Sequence, residues 1–179
     1  MKSQNPPGQI SGKGQYREIV DALKLASRAA AAKQIDLFRP GRQREVIVAD
    51  QMGHTLRRDP GNNLVDAVDD EGRKFSYVSA HIGKRAQLLV PCRTPKEMRT
   101  AKEKCMGLAG FIISHFSSHD ACRLLTLWEC SWQPIWAEIE RQAVMAKGRS
   151  AVRPVYFTES FLGACGDGCR LRFRADDFV

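Results

Sequence analysis

In Leu64-Val65-Asp66-Ala67-Val68-Asp69-Asp70-Glu71-Gly72-Arg73-Lys74-Phe75-Ser76-Tyr77-Val78-Ser79-Ala80 the period of the chain changes from helical to extended. Before it, apolar residues recur at spacings of three and four. Within it they follow the two-residue period of an extended chain. Asp69-Asp70-Glu71-Gly72 interrupts the run with turn-forming residues, so 64–68 and 73–80 read as the two strands of a hairpin. Alternation places residues i and i+2 on one strand face. Lys74, Ser76 and Val78 therefore share a face.

Working outward, Ile19, Leu23, Ala26 and Ala30 mark a helix from Gly14 to about Lys33. Arg39-Pro40-Gly41 breaks it. A second helix is expected from Arg42 to Met52, closed by Gly53 as a left-handed cap. Residues 57–63 read as a loop. After the hairpin, Arg85 to Val90 reads as a third strand closed by Pro91. Residues 95–107 read as a basic helix. Gly110–Phe116 and Cys122–Cys130 read as two apolar strands joined by the polar turn Ser117-Ser118-His119-Asp120. Ser131 is the expected cap of a helix reaching about Lys147, with Trp132, Trp136, Ile139 and Ala143 on one face. The three tryptophans are assigned to the core. Arg153 to Phe157 is a short strand. This order predicts an α/β (α+β) fold: a single domain over 13–179, with a central mixed β-sheet flanked by helices. A flexible arm, 1–12, rich in Pro, Gly, Ser and Gln, precedes it.

The chain has 179 residues, 43% hydrophobic and 27% charged, enough to bury a core without disulfides or metal. No apolar run approaches the roughly 20 residues of a bilayer-spanning helix, and no apolar segment follows the N-terminus. The expected location is the cytoplasm. The six cysteines are then expected as free thiols, with Cys105, Cys122 and Cys130 as small buried groups. Only Cys165-Gly-Asp-Gly-Cys169 is closely spaced. A zinc site would have to join it to His115 and His119, and structural zinc shows tighter paired spacing, so zinc is not expected.

Charge points to a partner. Lys and Arg number 28 against 20 Asp and Glu, a formal charge of +8. A basic domain of this size suits a polyanion, nucleic acid above all. The densest stretch runs from Lys84 to Lys104. The candidate phosphate contacts are His81, Lys84, Arg85, Arg93, Lys96 and Arg99. No phosphate loop, dinucleotide fingerprint or Gly-x-Ser-x-Gly elbow is present.

A helix bearing Glu45, a strand bearing Asp66, a tight turn and the strand Phe75-Ser76-Tyr77-Val78-Ser79-Ala80 follow one another. Over about residues 40–147 this order resembles the PD-(D/E)XK nuclease superfamily, which includes type II restriction endonucleases. The resemblance implies a double-stranded DNA partner, a Mg²⁺ cofactor, phosphodiester hydrolysis, a restriction–modification setting, and a homodimer or a heteromeric nuclease partner. Asp66 stands where the family carries its first metal-binding aspartate. Ser76 stands in place of the second acid, and Val78 in place of the lysine that orients water. Two readings stay open. In one, Lys74 replaces the lysine and Glu45 the carboxylate, leaving Asp66 and Glu45 as metal ligands and Lys74 with Ser76 beside them. In the other, the scaffold binds DNA or assembles with a partner and does no metal chemistry. Plainer roles stand beside these: Asp66 paired with Arg73, Glu45 as a helix-surface charge, Lys74 facing solvent, and Asp69, Asp70 and Glu71 as a polar turn.

Overall fold

A computed structural model of the chain describes residues 17–39, 41–58, 64–92, 94–145 and 152–176. The expected arm, 1–12, lies outside them. The chain divides into two units, residues 1–39 and 40–179. The first holds the helix α1 (Arg17–Ala32). It ends where the Lys33 and Ile35 N–H groups both donate to the Ala30 carbonyl, at 3.0 and 2.9 Å. Gln34 between them takes a positive φ of 57°.

The second unit runs α2 (Arg42–Met52), β1 (Thr55–Leu56), β2 (Ala67–Val68), β3 (Lys74–His81), β4 (Ala86–Pro91), α3 (Pro95–Met106), β5 (Gly110–Phe116) and β6 (Leu124–Cys130). It continues with α4 (Trp132–Met145), β7 (Val152–Phe157), α5 (Glu159–Ala164) and β8 (Cys169–Arg174). Six strands form one mixed sheet in the order β1-β2-β3-β5-β6-β8. Only β3 and β5 run parallel, with Phe75 opposite Gly110 and His81 opposite Phe116. The other neighbours are antiparallel. Every residue of β5 is buried, as a parallel strand covered on both faces requires.

Local chemistry explains several boundaries. Gly53 ends α2 at φ 69°, its N–H turned back to the Asp50 carbonyl. Thr94 and Glu97 form a reciprocal capping box at the start of α3, with Pro95 in the first turn. In the hairpin turn, one carboxylate oxygen of Asp69 accepts the N–H groups of Glu71 and Arg73. Gly72 supplies the positive φ, 77°.

The two sheet faces bury different clusters. One packs Val78, Ala80, Phe111, Ile113, Trp128 and Cys130 against α3, α4, α5, β4 and β7. The other packs Phe75, Ile112, Phe116, Leu124 and Leu127 against Val48 of α2. Trp128 and Trp136 are core residues, and Trp132 packs against them.

Four expectations change. β4 does not join the central sheet; it pairs antiparallel with β7 in a separate two-stranded sheet over the same core. The strand expected over 64–68 shrinks to Ala67–Val68, because the Asp66 side chain takes the Tyr77 N–H that a longer ladder would have paired. Cys122 is exposed in the turn before β6. The Ser131 hydroxyl donates to the Gly168 carbonyl, tying the start of α4 to β8.

Gly110 sits where β5 meets β6 backbone. A Cβ there would lie 2.5 Å from the Cys130 carbonyl oxygen. Gly110→Ala should cost about 1–3 kcal/mol or more, because the obstacle is backbone. Gly53→Ala meets no atom and should cost about 1–2 kcal/mol through its left-handed φ alone. Urea unfolding of the two variants checks both the size and the order.

Candidate functional site

Asp66 lies one residue before β2, beside the strand that carries Ser76 and Tyr77. Its Oδ2 accepts the Tyr77 N–H at 2.8 Å and the Ser76 hydroxyl at 3.2 Å. Burial pushes its carboxyl up to about 6, and the nearby Glu45 charge adds to the rise. The Tyr77 and Ser76 hydrogen bonds and the Arg42 charge act the other way. Two expected ligands, Asp66 and Glu45, thus lie within electrostatic reach of each other.

Glu45 comes from the first turn of α2, where the helix dipole favours an acid. It is not a free surface charge. Its Oε2 is 2.6 Å from Arg42 Nη1. Arg42 is 2% exposed, and its second nitrogen donates to the Arg57 carbonyl. A guanidinium buried at a helix N-terminus opposes the dipole, so it depends on these two partners. Sequence reasoning missed Arg42. The signal was there: a basic residue opening a helix, three positions before an acid.

Ser76 is 2% exposed and Val78 3%. Val78 is packed in the core, and the Ser76 hydroxyl is spent on Asp66. Lys74 is exposed at the first position of β3, paired in register with Val68. The groups that act on Asp66 are Tyr77, Glu45, Ser76 and Arg42. Arg73 pairs with Asp69 at 2.6 Å and Glu71 at 3.4 Å, and so belongs to the turn.

The α2 side of β3 carries two histidines. His54 Nδ1 is 2.9 Å from the Tyr77 hydroxyl, and its ring stacks on Phe75 at 4.4 Å. Burial lowers its pKa. The same desolvation, with the Asp66 and Glu45 charges, drives the Tyr77 phenol far above its usual range. His81 ends β3. Its Nδ1 donates to the Ser117 carbonyl at 2.9 Å. That fixes Nε2 as acceptor for the Arg44 guanidinium, 2.5 Å away. Arg44 also lies 5.6 Å over the Phe116 ring. His81 is thus a brace between α2 and the turn after β5.

Lys84, Arg85, Lys96 and Arg99 are exposed; Arg93 lies outside the described residues. Arg85 sits 5.8 Å over the Tyr156 ring. Lys96 and Lys104 of α3 edge a groove of about 260 Å³ whose floor includes Leu64, Leu89 and Ala101. Among the described residues, no group of three or more His, Cys, Asp or Glu side chains converges to hold a metal ion. No helix among them is long and apolar enough to cross a membrane.

The chain matches no protein-family model, and no curated protein matches it.

Asp66 makes a pH-dependent contribution whose sign is fixed. Its folded pKa, about 6, stands above the ordinary 3.8. The folded state therefore holds the proton more tightly, and this contribution to stability is present below about pH 4 and lost as pH rises to 6. The loss should be on the order of 3 kcal/mol. Asp66→Asn should flatten that part of the profile and gain on the wild type above pH 6. Chemical denaturation at pH 4, 5, 6 and 7 reads it directly.

Proposed function

We propose that the chain is a double-stranded DNA-binding protein of restriction-endonuclease type that does not cut DNA unaided. It would serve as an inactive subunit of a heteromeric nuclease or as a non-catalytic assembly module, working in the cytoplasm. The observation that carries this reading is how the carboxylates are held. Glu45 is bound to a buried Arg42, and Asp66 is bound by the Ser76 hydroxyl and the Tyr77 N–H. Protein groups occupy one oxygen of each carboxylate, Asp66 Oδ2 and Glu45 Oε2. The position of the resembled lysine is core valine.

The donor set suits Mg²⁺ in kind, since that hard cation takes carboxylate oxygens. Asp66 Oδ1 and Glu45 Oε1 carry no hydrogen bond among the described residues. Those two residues would hold the ion, which when bound would acidify water and stabilise phosphate charge. Number and charge tell against it. Two carboxylates are present, one neutralised by Arg42 and one that ionises only near pH 6. A second reading, a Mg²⁺-dependent phosphodiesterase with Asp66, Glu45 and Lys74, is favoured by the proximity of the two acids.

DNA attraction rests on the +8 charge and on the exposed basic residues Lys84, Arg85, Lys96 and Arg99. Four phosphate contacts predict a slope of log K against log salt of about −3 to −4. Lys96→Ala with Arg99→Ala should lower that slope by about two. Titration on mixed duplex DNA with and without Mg²⁺ tests the reading. Salt-sensitive binding that is unchanged by Asp66→Ala, with no cleavage, supports it. Metal-dependent cuts abolished by Asp66→Ala would establish the second reading instead. Absence of binding sinks both.

A further inference from the structure

Cys165 and Cys169 are the closely spaced cysteines of the sequence, and the fold brings Cys130 beside Cys169. β8 begins at Cys169, directly opposite Cys130 of β6. The Ser131 N–H donates to the Gly168 carbonyl at 2.8 Å. A bond from residue i+1 to residue j−1 brackets a non-hydrogen-bonded antiparallel pair. In such a pair the Cα atoms lie about 4.5 Å apart and the side chains approach most closely. That spacing falls inside the range disulfides span, about 4.4–6.8 Å. Cys165 ends α5, and a short turn at 166–168 returns the chain to Cys169. The Cys165 thiol donates to the Phe161 carbonyl at 3.2 Å. Cys130 and Cys169 are buried, while Cys165 is half-buried at the edge.

We propose that Cys130, Cys165 and Cys169 form a thiol–disulfide switch that hydrogen peroxide closes by joining Cys169 to Cys130 across the β6–β8 pair. The histidines do not belong to this cluster. His115 is buried against Thr126 and Glu159 on the central strands, and His119 lies in the exposed turn before β6. The three sulfurs do not form a metal-holding group. Their arrangement suits redox chemistry.

Across the pair, the Cys130 thiol holds Cys169 below its ordinary value. Burial pushes the Cys165 thiol up to about 12. The Cys169 sulfur opposite it, then burial, push Cys130 up as well. The first proton lost by the cluster therefore leaves Cys169.

The Cys169 thiolate attacks one oxygen of the peroxide. An S–O bond forms, the O–O bond breaks, and the departing hydroxide takes a proton to become water. The Cys130 sulfur then attacks the Cys169 sulfenic acid. The S–S bond forms, the S–O bond breaks, and the hydroxyl leaves as a second water with the Cys130 proton. Two thiols lose two electrons and two protons, and the peroxide becomes two waters. Cys165, at the solvent edge, is the thiol placed to exchange into the new bond and to meet a dithiol reductant. The closed switch pins β8 to β6 and the start of α4.

The test uses the whole chain, fully reduced and then exposed to hydrogen peroxide. Unreacted thiols are alkylated and the peptides are mapped without reduction. The expected result is a mass loss of two hydrogens and a peptide pair joined through Cys130 and Cys169. The link should persist in Cys165→Ser and disappear in Cys169→Ser. Oxidation of Cys122 while the three thiols stay reduced would overturn the switch. So would a Cys169 that proceeds to sulfinic acid without a partner. A bond confined to Cys165 and Cys169, and lost in Cys165→Ser, overturns the cross-strand pairing. The wild-type map needs no variant to fold, and none of these outcomes depends on DNA.

Discussion

The parallel pairing of β3 with β5 is the constraint from which the rest of the second unit follows. Two parallel neighbours cannot be joined by a tight turn. The chain must leave the end of β3, cross a face of the sheet and re-enter at the start of β5. β4 and α3 are that crossing. Two strands so placed are also buried on both faces. One face is closed by α2 through Val48, and the other by α3 and α4 through Ala101, Cys105, Ile135 and Ile139. The hairpin of β2 and β3 and the return strands β6 and β8 then extend the sheet on either side.

Local chemistry was legible in the sequence, and distant pairing was not. The hairpin turn is encoded by Asp69 and Gly72, the end of α2 by Gly53, and the start of α3 by Thr94, Pro95 and Glu97. Each acts over four residues or fewer. The partner of β4 was not legible, because β7 lies beyond α3, β5, β6 and α4, and alternation in a strand does not say which sheet it joins. Cys122 shows the same limit from the other side. A cysteine beside an apolar strand reads as buried, yet Asp120 accepts its backbone N–H and holds it in the turn.

The carboxylate centre divides in the same way. Helix, strand and turn order was enough to nominate Glu45 and Asp66 together, and they do influence each other. Their hydrogen-bond partners could not be read from spacing. Arg42 reaches Glu45 within α2 but is anchored on the Arg57 carbonyl in the loop beyond β1. Tyr77 contributes its backbone, which no side-chain pattern reveals. His81 was nominated for its position near lysines. Its ring is spent bracing Arg44 against Ser117. Proximity to basic residues in sequence carried no information about which way the ring would turn.

The burial of Val78 has a consequence for anyone who would redesign this molecule. Installing an acid at 76 and a lysine at 78 is a two-letter edit on paper. In three dimensions the new ammonium would start in the apolar cluster that Val78 shares with Phe111, Ile113 and Trp128, where desolvation costs several kcal/mol. The edit would have to begin in that packing, by opening a polar channel beneath the strand, before the strand itself could be changed. The sheet face under Val78 therefore works as a lock on chemistry: it preserves the scaffold while holding shut the shortest route to a different site.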